Sequence, residues 1–382
     1  MIVAGEASGD RHAAKLVNEL RVCSPLSELT FFGSAGPFMR DSGVEATIEA
    51  DRLSIVGLAE IGRALPMFYD AFVRLKNEAA LRKPDLVILV DFPEFNLKLA
   101  KALKKQGMKV VYYISPQIWA WRKYRIRTIR KYVDLLITIL PFEKSWYAER
   151  NVRHVEYVGS PLAHEVHAER TKLQFCIDNG LNPEVPIVCL LPGSRHKEIV
   201  RILPVMLEAA TKMASIDPNI QFVIAMADGR HRSDVTSAIN ALETEGVKGC
   251  KVMKVVEGET YDAMNAADVA AVTSGTATLE TGIIGTPMAI VYRTSALNYA
   301  LLEPLIKVEH YGLINLIAEK RVAKELIQGD FTGESLSTEL IRLLAPEENR
   351  RMRDELFVAS EKLGHGGASA RAAKAILRVM DR

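Results

Sequence analysis

The stretch that most restricts how this chain can fold is Ile187 to Pro204, IVCLLPGSRHKEIVRILP. A continuous apolar run breaks there at Pro192-Gly193-Ser194-Arg195 and resumes at helical spacing through Ile199, Leu203 and Leu207. That is strand, tight loop, helix. In a parallel sheet such a loop sits at the carboxyl end of a strand and hands small residues to a helix N-terminus, where backbone N–H groups and the helix dipole favour an anion. Gly193 lets the backbone come close, Ser194 offers a hydroxyl, and Arg195 offers a planar fork that matches phosphate oxygens. A diphosphate is the natural guest, and an ordinary strand-to-helix turn is the plain alternative. The stretch is not a Walker A loop, because the second glycine and the Lys-Ser/Thr pair are missing.

With 382 residues, 48% hydrophobic and 25% charged, the chain is long enough for two cores and too ordinary in composition for disorder. Two domains are expected. The net charge of +2 gives no electrostatic case for a nucleic-acid partner. Four cysteines, Cys23, Cys176, Cys189 and Cys250, fall at no metal-ligand or disulfide spacing and read as reduced core thiols. The opening MIVAGEASGDR has neither a basic segment nor a long apolar one, and no stretch reaches the ~18 apolar residues of a membrane span. A cytoplasmic protein, or one that touches a membrane without crossing it, is expected.

Taken in order, Met1 to Ala4 is an apolar strand that runs into Gly5-Glu6-Ala7-Ser8-Gly9-Asp10, and Ala13, Leu16, Val17 and Leu20 mark the helix after it. The loop lacks G-x-G-x-x-G, so a dinucleotide reading is weak, although its polar residues crowd a sheet edge where ligands bind. Thr30 to Gly33 gives a second strand. Leu53 to Phe72 is rich in large apolar residues and broken by Gly57, Gly62 and Pro66; its second half reads as a helix from Pro66 with Phe68, Phe72, Leu75 and Ala79 on one face. Its surplus of apolar residues beside Arg52, Arg63, Arg74 and Lys76 is either core or a membrane-facing patch.

Leu86 to Val90 is a strand buried on both faces, and it delivers Asp91 to the ligand edge; helix capping is the competing role for that carboxylate. Strand Val110 to Ile114 leads to Gln117, Trp119 and Trp121. Six basic residues follow between Arg122 and Lys131, either a solvated face or a contact for phosphate or acidic lipid. Leu135 to Leu140 and Val155 to Val158 complete a first sheet, with a domain boundary near Ala163. A second sheet draws on Ile187 to Leu191, Phe222 to Met226, Val252 to Val256, Val269 to Val272 and Met288 to Tyr292. After Val272 the run Ser274-Gly275-Thr276 forms a second anion cradle at a helix start, with Glu280 placed to suit a ribose diol or simply to face solvent. The helical tail ends in an amphipathic Ala370 to Met380, which is expected to cross back onto the first domain.

GEASGD, AGPFM, DFPEFN, SPQIWAWR, LPFEK, VGSPL, LPGSRHKEI, TSGTATLE with GTPM, and INLI at 314 to 317 occur together and in this order. Jointly they resemble the lipid-A-disaccharide synthases, over residue 3 to beyond 325. Glu94 stands where many relatives have Asp, and Ile314 where Pro is usual, which loosens a turn there. The resemblance implies an α/β fold of the GT-B type, with two Rossmann-like domains facing across a cleft: 1–163, joined by the helix at about 365–382, for the acceptor, and 164–364 for the UDP-sugar. It implies transfer of diacylglucosamine from UDP-2,3-diacylglucosamine to 2,3-diacylglucosamine 1-phosphate with inversion, giving the β-1,6-linked disaccharide 1-phosphate and UDP.

By the same resemblance Asp91 is the base, and Glu6, Ser8, Gly9, Asp10, Asn96, Gln117, Trp119 and Arg122 attend the acceptor. Gly193, Ser194, Arg195, Glu198, Ser274, Gly275, Thr276, Ala277, Thr278, Glu280 and Asn315 attend the nucleotide. No cofactor is implied, and with no D-x-D in the sequence no metal bridge to the diphosphate is required. The expected setting is the cytoplasmic face of the inner membrane, bound peripherally to its lipid surface, with a homodimer left open. Two other readings stand beside this one. Another UDP-sugar enzyme of the fold, such as a UDP-GlcNAc epimerase, would turn over its substrate without an acceptor. A two-lobed solute-binding protein would need a secretory signal and no Asp91.

Overall fold

The computed structural model describes residues 1–26, 28–51, 61–244, 253–295 and 309–381. They form two compact units, Met1–Pro161 with His365–Arg382, and Leu162–Gly364. Each is a parallel sheet between helices. In the first unit the strands are β1 (Ile2–Val3), β2 (Phe32–Ala35), β3 (Glu45–Glu49), β4 (Val87–Val90), β5 (Val110–Tyr113), β6 (Leu135–Thr138) and β7 (Val155–Tyr157), in spatial order 3-2-1-4-5-6-7. In the second they are β8 (Ile187–Leu191), β9 (Gln221–Met226), β10 (Met253–Glu257), β11 (Val269–Thr273), β12 (Met288–Tyr292) and β13 (Glu325–Ile327), in order 10-9-8-11-12-13. Both orders reverse direction beside their first strand, β1 or β8. Ligands of doubly wound sheets bind at that switch point, beyond the strands' carboxyl ends.

The strands are continuous apolar runs because both faces of the sheet are covered. Ile2, Ile88, Val90, Val111 and Tyr113 face one core. Val3, Val87, Leu89, Val110 and Tyr112, their neighbours along the same strands, face the other. The first core is closed by helix Ala7–Cys23 and by the last helix, Ala368–Met380, whose Ala372, Ala373 and Ile376 are fully buried. That helix is tied to the first sheet by Arg371 Nε donating to Val158 O at 2.6 Å and by Arg378 on Glu156 at 2.6 Å.

Several sequence expectations shift. The second strand lies at Phe32–Ala35, two residues past the expected Thr30 to Gly33, because Gly33 and Ser34 pair with β1. The sequence reading did not mark β3 and β13 as strands. Both are sheet edges; β3, Glu-Ala-Thr-Ile-Glu, is half-exposed, and β13 is three residues long. The helix expected from Pro66 spans Ile61–Arg82, so Pro66 lies inside it and leaves the carbonyl four residues earlier without its N–H partner. Residues 52–60 of the apolar stretch lie outside the described residues, as does Cys250; the other three cysteines are free thiols. Ile314 falls inside helix Leu313–Ala318, so no turn is loosened there.

Truncating Ile376 to Ala removes a fully buried side chain from the core between helix Ala7–Cys23 and the sheet, and should cost about 2 to 5 kcal/mol in urea unfolding. Arg378→Ala, which removes an exposed ion pair on the same helix, should cost less than about 1 kcal/mol. Equal effects would mean that the helix is held by its surface.

Candidate active site

In the first unit the loops after β1 and β4 meet at the switch point. Asp91 and Phe92 follow β4 directly, and both adopt left-handed backbone angles, φ 48° and φ 50°. Two consecutive non-glycine residues in that region are held only where their surroundings over-determine them. The Asp91 carbonyl accepts from the Tyr112 hydroxyl at 2.6 Å and from Asn96 Nδ2 at 2.8 Å, and Asn96 also donates to Val90 O at 3.1 Å. The Asp91 N–H reaches Tyr113 O at 3.0 Å. Gly5 completes the clamp by close approach: a Cβ there would lie 2.2 Å from the Phe92 ring.

This twist leaves the carboxylate of Asp91 at the sheet edge. Helix Pro93–Lys105 has Phe92 as its N-cap and no side-chain cap, so the capping role is not the one Asp91 plays. Burial and, after it, the negative charge of Glu6 raise the Asp91 pKa against the opposing Phe92 N–H, to about 6 in all. Gly9 passes next to it, with a Cβ position 4.0 Å from Asp91 Cβ. Glu6 and Ser8 are exposed at the start of helix Ala7–Cys23.

Three residues assigned to the acceptor also hold the fold together. Asp10 is buried and accepts from the N–H groups of Gly36, Phe38 and Met39 at 2.9, 2.9 and 3.2 Å, capping helix Pro37–Asp41. Both of its oxygens accept from those amides. Asn96 is fully buried and holds the backbone that positions Asp91. Trp119 is buried and donates Nε1–H to Glu143 at 3.2 Å, so it shapes the loop after β5 from within. Gln117 is exposed in that loop, and Arg122 pairs with Glu94, which also receives the buried Arg125.

In the second unit the two cradles flank the switch point between β8 and β11. Thr273 Oγ1 donates to Leu191 O at 2.8 Å, stitching the ends of those strands together. Gly193 has φ +108°, and a Cβ there would meet Glu198 Oε2 at 2.7 Å. Arg195 precedes helix His196–Ile216 with its guanidinium largely exposed. Glu198 accepts from Ser194 N at 3.2 Å and from Arg195 Nη1 at 2.9 Å. Glu198 thus holds two donors, the Ser194 N–H and the Arg195 guanidinium, in place.

Beyond β11, Gly275 is the N-cap of helix Thr276–Ile284 with no side chain capping it, and Thr276 is exposed. Ala277 follows half-buried in the first turn. Ser274 Oγ donates to Tyr311 O at 2.8 Å. Thr278 is buried, donating to Gly275 O at 2.8 Å and accepting from Leu313 N at 3.1 Å, so it supports the cradle from below. Glu280 is half-buried against the Tyr261 hydroxyl at 3.4 Å, and burial raises its pKa. Asn315 is fully buried, donates to Ala323 O and Glu325 Oε1, and accepts from Val322 N and Ala323 N, which uses every donor and acceptor of its carboxamide.

A family model described as lipid-A-disaccharide synthetase matches residues 1–377. The chain belongs to that family. A lipid-A-disaccharide synthase of Nitrosococcus oceani is 42% identical over 96% of this chain and 92% of its own length. One of Myxococcus xanthus is 42% identical over 100% and 97%. Among solved structures, a putative UDP-N-acetylglucosamine 2-epimerase of Listeria monocytogenes aligns with TM-score 0.67 at 16% identity, covering 100% of this chain and 95% of that one. A glycosyltransferase of Rickettsia africae aligns at 0.60 and 10% identity, covering 100% and 97%. These two carry the fold alone, two parallel α/β units of the GT-B class. Membership of the family favours glycosyl transfer to make a disaccharide over the epimerase reading.

Sequence reasoning missed Tyr112, Gly5 as a clamp, Glu325 and Glu143. Glu325 on β13 accepts the N–H groups of Tyr311 and Gly312 at 3.0 and 2.9 Å and so anchors the loop that meets Ser274. The signal for Glu143 was its place in LPFEK. It is buried beside Trp119, accepts from Leu140 N at 3.1 Å, and burial raises its pKa to about 8. The folded chain therefore keeps a proton that the unfolded chain gives up at the ordinary carboxyl value, so stability falls as pH rises towards 8. In Glu143→Gln the part of that fall above pH 6 should be lost in melting curves. An unchanged profile would show that Glu143 is ionised in the fold.

Proposed function

We propose that the chain joins a diacylglucosamine unit from its UDP donor to diacylglucosamine 1-phosphate, with Asp91 as the general base. The acceptor 6-hydroxyl oxygen bonds to the donor's anomeric carbon while its proton passes to Asp91. The bond from that carbon to the diphosphate breaks, its electron pair leaves on UDP, and the configuration inverts. The observation that carries this reading is a largely desolvated carboxylate, with the Phe92 N–H beside it, fixed by a strained turn at the switch point. A pKa of about 6 suits proton abstraction near neutrality. Glu6, Ser8, Gly9, Gln117 and Arg122 line the acceptor side. Gly193, Ser194, Arg195 and the Ser274-Gly275-Thr276-Ala277 backbone stabilise the charge gathering on the leaving diphosphate, with Glu280 on the ribose.

We also assign a lipid-facing surface to helix Ile61–Arg82, in keeping with peripheral binding at the cytoplasmic face of the inner membrane. Leu65, Tyr69, Phe72 and Lys76 follow at helical spacing on one face, and Leu65 and Tyr69 are 61% and 71% exposed. Phe72 and Lys76 then border a groove with Lys98, Lys101 and Lys105. Apolar residues running into a ring of lysines match the boundary between acyl chains and acidic headgroups. Among the described residues no helix is long and apolar enough to cross a membrane.

The base assignment predicts that kcat/KM rises with pH through about 6 and then levels. Asp91→Asn should abolish that limb and slow turnover by ~10²- to 10⁴-fold while UDP affinity in calorimetry stays near wild type. Arg195→Ala should instead weaken UDP binding by roughly 1.5 to 3 kcal/mol and slow turnover with it. Near-normal kcat in Asp91→Asn would remove the assignment. For the lipid surface, Lys76→Glu with Lys101→Glu should lower sedimentation with anionic vesicles by on the order of 10-fold or more without shifting the melting temperature. Binding equal to the parent would place the contact elsewhere.

A further inference from the structure

Outside the residues given to the reaction, three side chains from three elements converge: His196 at the start of helix His196–Ile216, His231 in the turn Gly229–His231, and Asp234 in helix Arg232–Thr244. Each offers one ligand atom, and these atoms all lie within 4.8 Å of one another. Asp234 Oδ2 stands 2.8 Å from His196 Nδ1 and 3.4 Å from His231 Nδ1. The arginines on either side of His231 are drawn to other carboxylates, Arg230 to Asp228 and Arg232 to Glu257. They do not neutralise Asp234, whose ion-pair partners among the described residues are the two imidazoles.

We propose that His196, His231 and Asp234 form a binding site for a late first-row divalent cation such as Zn²⁺. Two imidazoles and one carboxylate suit zinc and its neighbours, whereas magnesium and calcium favour sites built of oxygen. Bonds of ~2.0–2.2 Å place ligand atoms a little over ~3 Å apart, against 2.8 and 3.4 Å from Asp234 to the two imidazoles and no more than 4.8 Å for any pair. The exposed His196 ring has room to rotate, and water fills the remaining positions. The ion joins the first turn of helix His196–Ile216 to the helix Arg232–Thr244. It thereby fixes the residue that follows Arg195 while taking no part in breaking the diphosphate bond. The sequence reading assigned no metal, and the spacing gave no sign of one, because the ligands are brought together only by the fold of the second unit.

The full-length chain, stripped with EDTA, is titrated with Co²⁺ and followed by its visible ligand-field absorption, then with Zn²⁺ in calorimetry and melting curves. The expected result is one equivalent bound, Zn²⁺ displacing Co²⁺, and a higher melting temperature with Zn²⁺. His196→Ala, His231→Ala and Asp234→Asn should each weaken Zn²⁺ by on the order of 100-fold and abolish the thermal shift, while His365→Ala leaves both intact. Because His196 is exposed, its variant should fold normally and keeps the test decisive if Asp234→Asn is unstable. Absence of saturable binding, or affinity unchanged in His196→Ala and His231→Ala, overturns the site and leaves a hydrogen-bonded triad only. Turnover is not part of the readout, so the result is independent of the role given to Asp91.

Discussion

Both units depend on the same constraint: a parallel sheet wound outward from its middle has two neighbouring strands whose following loops must diverge. β1 and β4 are such a pair, and so are β8 and β11. No crossover covers the gap between them, so polar groups can gather at a point that is walled by apolar strands yet open at the top. The buried, two-residue β1 matters for this reason. It supplies little hydrogen bonding of its own, but its position decides which loops become neighbours. Its register with β2 and β4 brings Gly5 under Phe92 and Gly9 beside Asp91.

The two switch points use that shared geometry for opposite electrostatic ends. In the first unit the surroundings raise the energy of a negative charge, since burial and Glu6 both disfavour the Asp91 carboxylate. A carboxylate held in this way takes up a proton at a higher pH than an exposed one. In the second unit the surroundings lower the energy of a negative charge, through helix starts without side-chain caps and a largely exposed guanidinium. Glu198 occupies the donors that an anion would use, so the cradle keeps its shape through an internal carboxylate. One unit favours losing charge by protonation and the other favours receiving it, a division that a single site would have to compromise.

The strands and their order of appearance were legible because two-sided burial writes continuous apolar runs into the sequence. Edge strands β3 and β13 were not, since one half-exposed strand and one three-residue strand leave no such run. Asp91, Arg195 and the Ser274-Gly275 loop were readable as residues at strand ends. The hydrogen bonds that Asp10, Asn96, Thr278 and Asn315 make to buried backbone groups were not legible, for one physical reason. A polar side chain near a site and a polar side chain that saturates buried backbone groups look identical in sequence, and only the hydrogen-bond partners separate them. Tyr112 is the converse case: within a strand it reads as core, yet its hydroxyl reaches across to the Asp91 carbonyl.

The last helix belongs to the first unit, and this has a consequence for how the protein is made. Chains leave the ribosome from the amino end, and domains generally fold as they emerge. Here Leu162–Gly364 is complete in sequence before Ala368–Met380 exists, so the second unit can finish while the first still exposes the face that Ala372, Ala373 and Ile376 will cover. The unit that begins the chain is therefore the later one to mature. Until the codons for Ala368–Met380 are read, the nascent chain holds the whole sequence of the second unit and a first unit whose core is still open on one side.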